Sequence, residues 1–140
     1  MSRIFFVTNV FIYLFEDYEP FSSMVDACWK RMMQRGDQLV TSAMTLGELL
    51  VKPSKLGHAS LVEQYDRAIR SRAQVVHFDT SVAWRYATLR ATHNIRNPDA
   101  IQLACASHFG VDLFITNDKQ LHKLNVPGIG FITPLDKVPL

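Results

Sequence analysis

The chain has 140 residues, 48% of them apolar, and a formal charge of +2. That length supplies one ordinary domain with its core and is short for two, so a single domain over residues 1–140 is expected. The near-balanced charge gives no argument for a broad basic surface, and Cys28 and Cys105, isolated in helical patterns, look like free thiols of a reducing compartment.

Residues 4–7 read as a short buried strand and residues 10–15 as the helix that follows a Thr8-Asn9 turn. This apolar stretch superficially resembles a signal-peptide core, but Thr8-Asn9 interrupts it and the acidic Glu16-Asp17-Tyr18-Glu19 follows at once. It also falls short of the roughly 18–20 residues of a membrane span. A cytoplasmic location without membrane attachment is therefore expected.

Ser22 or Ser23 can cap a helix through Arg35, with Gly36 just past its end. Residues 38–41 form a second strand candidate. Thr45 opens a short helix that Pro53 ends, and Leu61, Val62, Tyr65, Ala68 and Ile69 recur at helical spacing between His58 and Arg72. A third strand is expected over residues 74–78. Asp79-Thr80-Ser81 then caps a helix through about Arg90, Pro98 takes a first helical position after Asn97, and Gly110 closes that helix. Residues 113–116 and 130–133 are the last strands. Strands alternating with helices specify an α/β sandwich with a mostly parallel sheet, because parallel neighbours require crossover connections.

Three acids stand at element starts. The apolar run Leu113-Phe114-Ile115 ends in Thr116-Asn117-Asp118, which puts Asp118 beyond the carboxyl end of a strand, where ligands of parallel sheets bind. Asp99 opens a helix in Asn97-Pro98-Asp99-Ala100, and Glu48 follows Thr45-Leu46-Gly47. Each has an ordinary structural reading: Glu48 completes a capping box with Thr45, Asp99 suits the helix dipole, and Asp118 caps a short helix over residues 119–124. Gathered at one sheet edge, the three would repel one another, and protonation, basic partners or a hard divalent cation would relieve that repulsion. Oxygen ligands without a Cys or His cluster favour Mg²⁺ or Mn²⁺ over Zn²⁺.

No Walker loop, G-x-G-x-x-G, G-x-S-x-G or His-Glu-x-x-His is present, and the five histidines lack ligand spacing. Trp29, Trp84 and Tyr86 read as core or subunit-contact residues. Arg90, Arg96, Lys119 and Lys123 flank the acidic edge as solvated surface or phosphate contacts.

Glu48, the segment Asn97-Pro98-Asp99-Ala100-Ile101-Gln102-Leu103-Ala104 and the turn Thr116-Asn117-Asp118 together resemble the PIN-domain family, especially VapC-type toxins of toxin–antitoxin pairs. The resemblance spans almost the whole chain. It implies a three-layer α/β/α sandwich, Mg²⁺- or Mn²⁺-dependent cleavage of RNA leaving 5′-phosphate and 3′-hydroxyl ends, a cognate antitoxin and a homodimer. Asp99, Asp118 and Glu48 would hold the metal, with Asn9 and Thr116 placing it or the phosphate.

The chain departs from the family at position 7. The resemblance implies an acid at the end of the first strand, where this sequence reads Val7-Thr8-Asn9. Val suits a strand but offers a cation no lone pair, so the fold is expected to persist while hydrolysis is impaired. The alternative is a non-catalytic PIN module that binds RNA or a protein, with Leu61, Tyr65 and Ile69 as contact residues if exposed.

Overall fold

The computed structural model describes residues 1–140. Five strands, β1 (Arg3–Phe6), β2 (Gln38–Ser42), β3 (Ala73–Val76), β4 (Val111–Ile115) and β5 (Ile129–Thr133), form one sheet in the order β3-β2-β1-β4-β5. Every pair is parallel. Six helices connect them: α1 (Thr8–Phe15), α2 (Phe21–Arg35), α3 (Ala43–Lys55), α4 (Ala59–Arg72), α5 (Thr80–Thr92) and α6 (Asn97–Phe109). The expected α/β/α sandwich is the fold observed, its sheet wholly parallel.

The strands are apolar on both faces because both faces are covered. Ile4, Phe6, Leu39, Leu113 and Ile115 pack with Val10, Phe11, Val25, Met32, Leu46, Leu49 and Ile69 of helices α1 to α4. The alternating residues Phe5, Val40 and Phe114 face Val82, Leu89, Leu103 and Cys105 of α5 and α6. Phe5 and Phe114 stack at 5.0 Å between neighbouring strands. No helix is long and apolar enough to cross a membrane.

Several helix ends differ from the sequence expectation. Helix α2 starts at Phe21, and neither serine caps it; Glu19 instead accepts from Ser23 N at 2.8 Å and from its hydroxyl at 2.6 Å. Gly36 ends that helix at φ +74°, a backbone position suited to glycine. Ser42, not Thr45, caps α3, its Oγ accepting from Thr45 N at 3.2 Å. Pro53 lies inside the helix, which runs to Lys55. Asp79 caps α5 through Val82 N at 3.0 Å, and Pro98 sits within the first turn of α6, one place after Asn97.

Strand β5 joins the edge of the sheet beside β4. A Cβ on Gly128 would come within 2.3 Å of the Ser107 carbonyl, and one on Gly130 within 2.5 Å of the Asp112 carbonyl. Only glycine allows the chain to run this close to α6 and β4.

Candidate functional site

Strand order reverses direction between β1 and β4, because the chain builds outward through β2 and β3 and then crosses to the other side of β1. In such sheets a crevice opens beyond the carboxyl ends of the two strands at the reversal. Here it is a cleft of about 640 Å³, lined by residues that include Val7, Asn9, Glu48, Asp99, Thr116 and Asp118. Three connections and the start of one helix converge on it. Of the four flanking basic residues named from the sequence, Arg96 alone lines it.

Val7 is the N-cap of α1 and half-buried, and its side chain packs against both apolar clusters. It closes the core against the cleft where the family resemblance implies an acid. Thr8, next along, is buried and donates to Glu48 Oε1 at 2.6 Å. The capping-box reading of Glu48 therefore fails: Thr45 lies inside the first turn, Ser42 does the capping, and the Glu48 carboxylate turns to α1.

Asp99 is half-buried in the first turn of α6, with Arg96 Nε 3.2 Å from its Oδ2. Asp118 does not cap a helix. Residues 119–123 form turns, and its Oδ1 accepts from Gln120 N at 3.0 Å while Thr116 Oγ1 accepts from Asp118 N at 3.1 Å. His122 Nε2 donates to the Thr116 carbonyl at 2.7 Å and Asn117 Oδ1 accepts from Leu135 N at 2.9 Å. The Asp118 turn is thus tied at both ends. Asn9, by contrast, is exposed at the cleft wall.

The sequence reading assigned no role to Gln102. It lies three residues after Asp99, a spacing that puts both on one helix face, and it is 4% exposed beneath the cleft. Its amide bonds Ser42, Thr45 and Thr8. A glutamine in an otherwise apolar helical stretch, Ala100 to Ala106, is the signal that marks it, since a buried amide needs partners.

The oxygen donors of Glu48, Asp99 and Asp118 have the chemistry of a hard-cation site, but the set is incomplete. No three histidine, cysteine, aspartate or glutamate side chains come together in a way that would hold a metal ion. Val7 contributes none, and Asp99 is paired with Arg96. As it stands, this chain does not fit a resident Mg²⁺ or Mn²⁺.

Comparison with known proteins bears on the same region. The family model for the PIN domain matches residues 4–127. No curated protein matches the sequence significantly. Among solved structures, VapBC2 from Rickettsia felis bound to a promoter DNA fragment is similar, at 17% identity and TM-score 0.74, over 94% of this chain and 98% of that one. A toxin–antitoxin complex from Klebsiella pneumoniae is 25% identical with TM-score 0.64, over 90% and 94% of the two chains. DNA-bound VapBC from Salmonella typhimurium is 20% identical with TM-score 0.69, over 96% and 99%.

Proposed function

The chain belongs to the PIN-domain family, and from that premise we propose that it is the toxin component of a toxin–antitoxin pair, built as an endoribonuclease and impaired in hydrolysis by Val7. The observation that carries this reading is the cleft at the strand-order reversal. It gathers Glu48 from α3, Asp99 from the first turn of α6 and Asp118 from the turn after β4, and presents Val7 beside them. With Asp at position 7, the carboxylate set would suit Mg²⁺ or Mn²⁺, which supplies positive charge for attack of water on a phosphodiester.

The chain's own groups have parts that do not depend on the ion. Arg96 is largely exposed at the cleft wall and is placed to meet a phosphate. Asn9 can donate to a phosphate oxygen, and Thr116 holds the Asp118 turn through its hydroxyl. The substrate is single-stranded RNA, the cofactor of the completed site is Mg²⁺ or Mn²⁺, and the location is the cytoplasm.

The antitoxin fits a second groove. Phe15, Leu49, Leu56, Leu61 and Tyr65 give it an apolar floor between α1, α3 and α4, and it meets the cleft at Ile12 and Glu48. Ile69 takes no part, being buried in the core. Such a groove suits the apolar face of a peptide helix. Trp84, 80% exposed on α5, is not a core residue and supports the homodimer as its contact.

A second reading, a PIN module that binds without cleaving, is favoured by the lack of any three-ligand cluster. Cleavage of a mixed single-stranded RNA pool separates the two. Val7→Asp should gain Mn²⁺-dependent, EDTA-sensitive cleavage, Val7→Asn much less, and Val7→Asp/Asp99→Asn none. An inactive Val7→Asp protein that nevertheless binds Mn²⁺ would hand the argument to the binding module.

A further inference from the structure

We infer that Gln102 is a positioning residue that aims the Glu48 carboxylate, acting through the Thr8 hydroxyl. The inference rests on the reading of the cleft as a catalytic site.

Ser42, Thr45, Thr8 and Gln102 come from the end of β2, the start of α3, the start of α1 and the body of α6, and all four are buried. Ser42 Oγ accepts from Thr45 N and sends its own proton to Gln102 Oε1 at 2.6 Å. Gln102 Nε2 then has two N–H groups, one for Thr45 Oγ1 at 2.8 Å and one for Thr8 Oγ1 at 3.1 Å. Thr8 has a single proton and two acceptors in reach, Thr45 Oγ1 at 3.3 Å and Glu48 Oε1 at 2.6 Å, and the closer, charged carboxylate takes it.

The amide admits one orientation. Were it reversed, its oxygen would face the two threonine hydroxyls, and Thr8 would have to choose between that oxygen and Glu48. A carboxylate oxygen 2.6 Å from an unprotonated hydroxyl lone pair is repulsive, so the reversed amide is disfavoured by the same distance that defines the Thr8–Glu48 bond. With the amide as placed, no buried side-chain nitrogen or oxygen lacks a partner.

The consequence is directional. Both N–H groups of Gln102 are spent on hydroxyl oxygens, so Thr45 Oγ1 already has a donor and the Thr8 proton goes to Glu48, the closer and charged acceptor. Glu48 is exposed on α3, and on the solvent side it would sample several rotamers; the Thr8 proton selects the one that faces the cleft. Because Gln102 lies on the same helix as Asp99, the network also sets the spacing of the two acids.

The test is side-chain NMR on the folded protein, which needs no activity. In the unaltered chain, Glu48 should show couplings of a single rotamer, and the Gln102 amide protons should give cross-peaks to Thr8 and Thr45. Gln102→Met keeps the volume and removes the donors, and Thr8→Val keeps the shape and removes the hydroxyl. Both should average the Glu48 couplings, while Thr8→Ser should restore them. In the Val7→Asp background the first two should lower kcat about 10- to 100-fold with KM little changed.

Glu48 couplings that stay those of one rotamer in Thr8→Val would overturn the inference. So would Gln102 amide cross-peaks to Ser42 in place of the threonines, a result readable even if Gln102→Met fails to fold. A Val7→Asp protein that gains no cleavage, with the Glu48 couplings behaving as described, would instead count against the nuclease reading and leave the positioning role standing.

Discussion

Arg96 Nε lies 3.2 Å from Asp99 Oδ2, three residues along the same chain segment. The cleft therefore carries its own cation, and that cation is held by the acid that a metal would need. The guanidinium is largely exposed, so the pair is weak and water competes for both partners.

Replacing Arg96 by Ala should accordingly raise the affinity of the Val7→Asp protein for Mn²⁺, by about two- to fivefold given the small worth of exposed pairs. The same change should weaken single-stranded RNA binding and flatten its salt dependence by about one phosphate contact. Calorimetric titration with Mn²⁺ and RNA binding at several salt concentrations measure the two effects. Unchanged metal affinity would mean that Arg96 does not compete.

Val7 packs on both apolar clusters, so an acid there meets desolvation and the charges of its neighbours. Without metal, Val7→Asp should lose about 1–3 kcal/mol of stability in urea unfolding, and Val7→Asn should lose less. Added Mn²⁺ should recover most of the loss in Val7→Asp and none in Val7→Asn, since metal that binds only the folded state stabilises it. The parent chain, one carboxylate short, should bind Mn²⁺ weakly in the same titration.

Acid sensitivity has a specific source in Asp37. Burial pushes its carboxyl upward, but Ser2 N at 2.7 Å and the Arg35 guanidinium at 2.9 Å outweigh that and hold it below its ordinary value. A carboxyl depressed in the folded state stabilises above its unfolded pKa, near 3.9, and the contribution is lost as pH falls through the folded value. Asp37→Asn should therefore be less stable at pH 7 and lose less on acidification below about pH 4. Urea midpoints at pH 7 and pH 3 decide it.

Burial pushes the Cys28 thiol up to about 11, with Asp37 adding to it, and the Cys105 thiol up to about 12, with Asp79 adding to it. At pH 8 both remain protonated and enclosed, and the thiolate is the reactive form. A chromogenic disulfide reagent should titrate no thiol in the native protein over an hour and both in urea. Fast modification of either in native buffer would contradict the packing described.

The elements and their order were legible in the sequence because they depend on neighbours within one turn or one pleat. Buried parallel strands are apolar on both faces, Gly36 takes the left-handed turn, and Asp79 is a cap whose N–H donor is three residues away. Val7 was equally plain, since a side chain's donors are known from its identity. Helix starts were misread where a competing acceptor lay close by: Glu19 displaced two serines, and Ser42 displaced Thr45.

Only the tertiary structure decided what Glu48 and Gln102 touch. The Thr8–Glu48 bond joins residues 40 apart, and the Thr8–Gln102 bond joins residues 94 apart. No local preference spans such distances. What brings those side chains together is the crossing of the chain from β3 to β4 past β1, which sets α1, α3 and α6 around the end of a single strand, and buried hydroxyls and amides then pair because being left unpaired in an apolar core is costly.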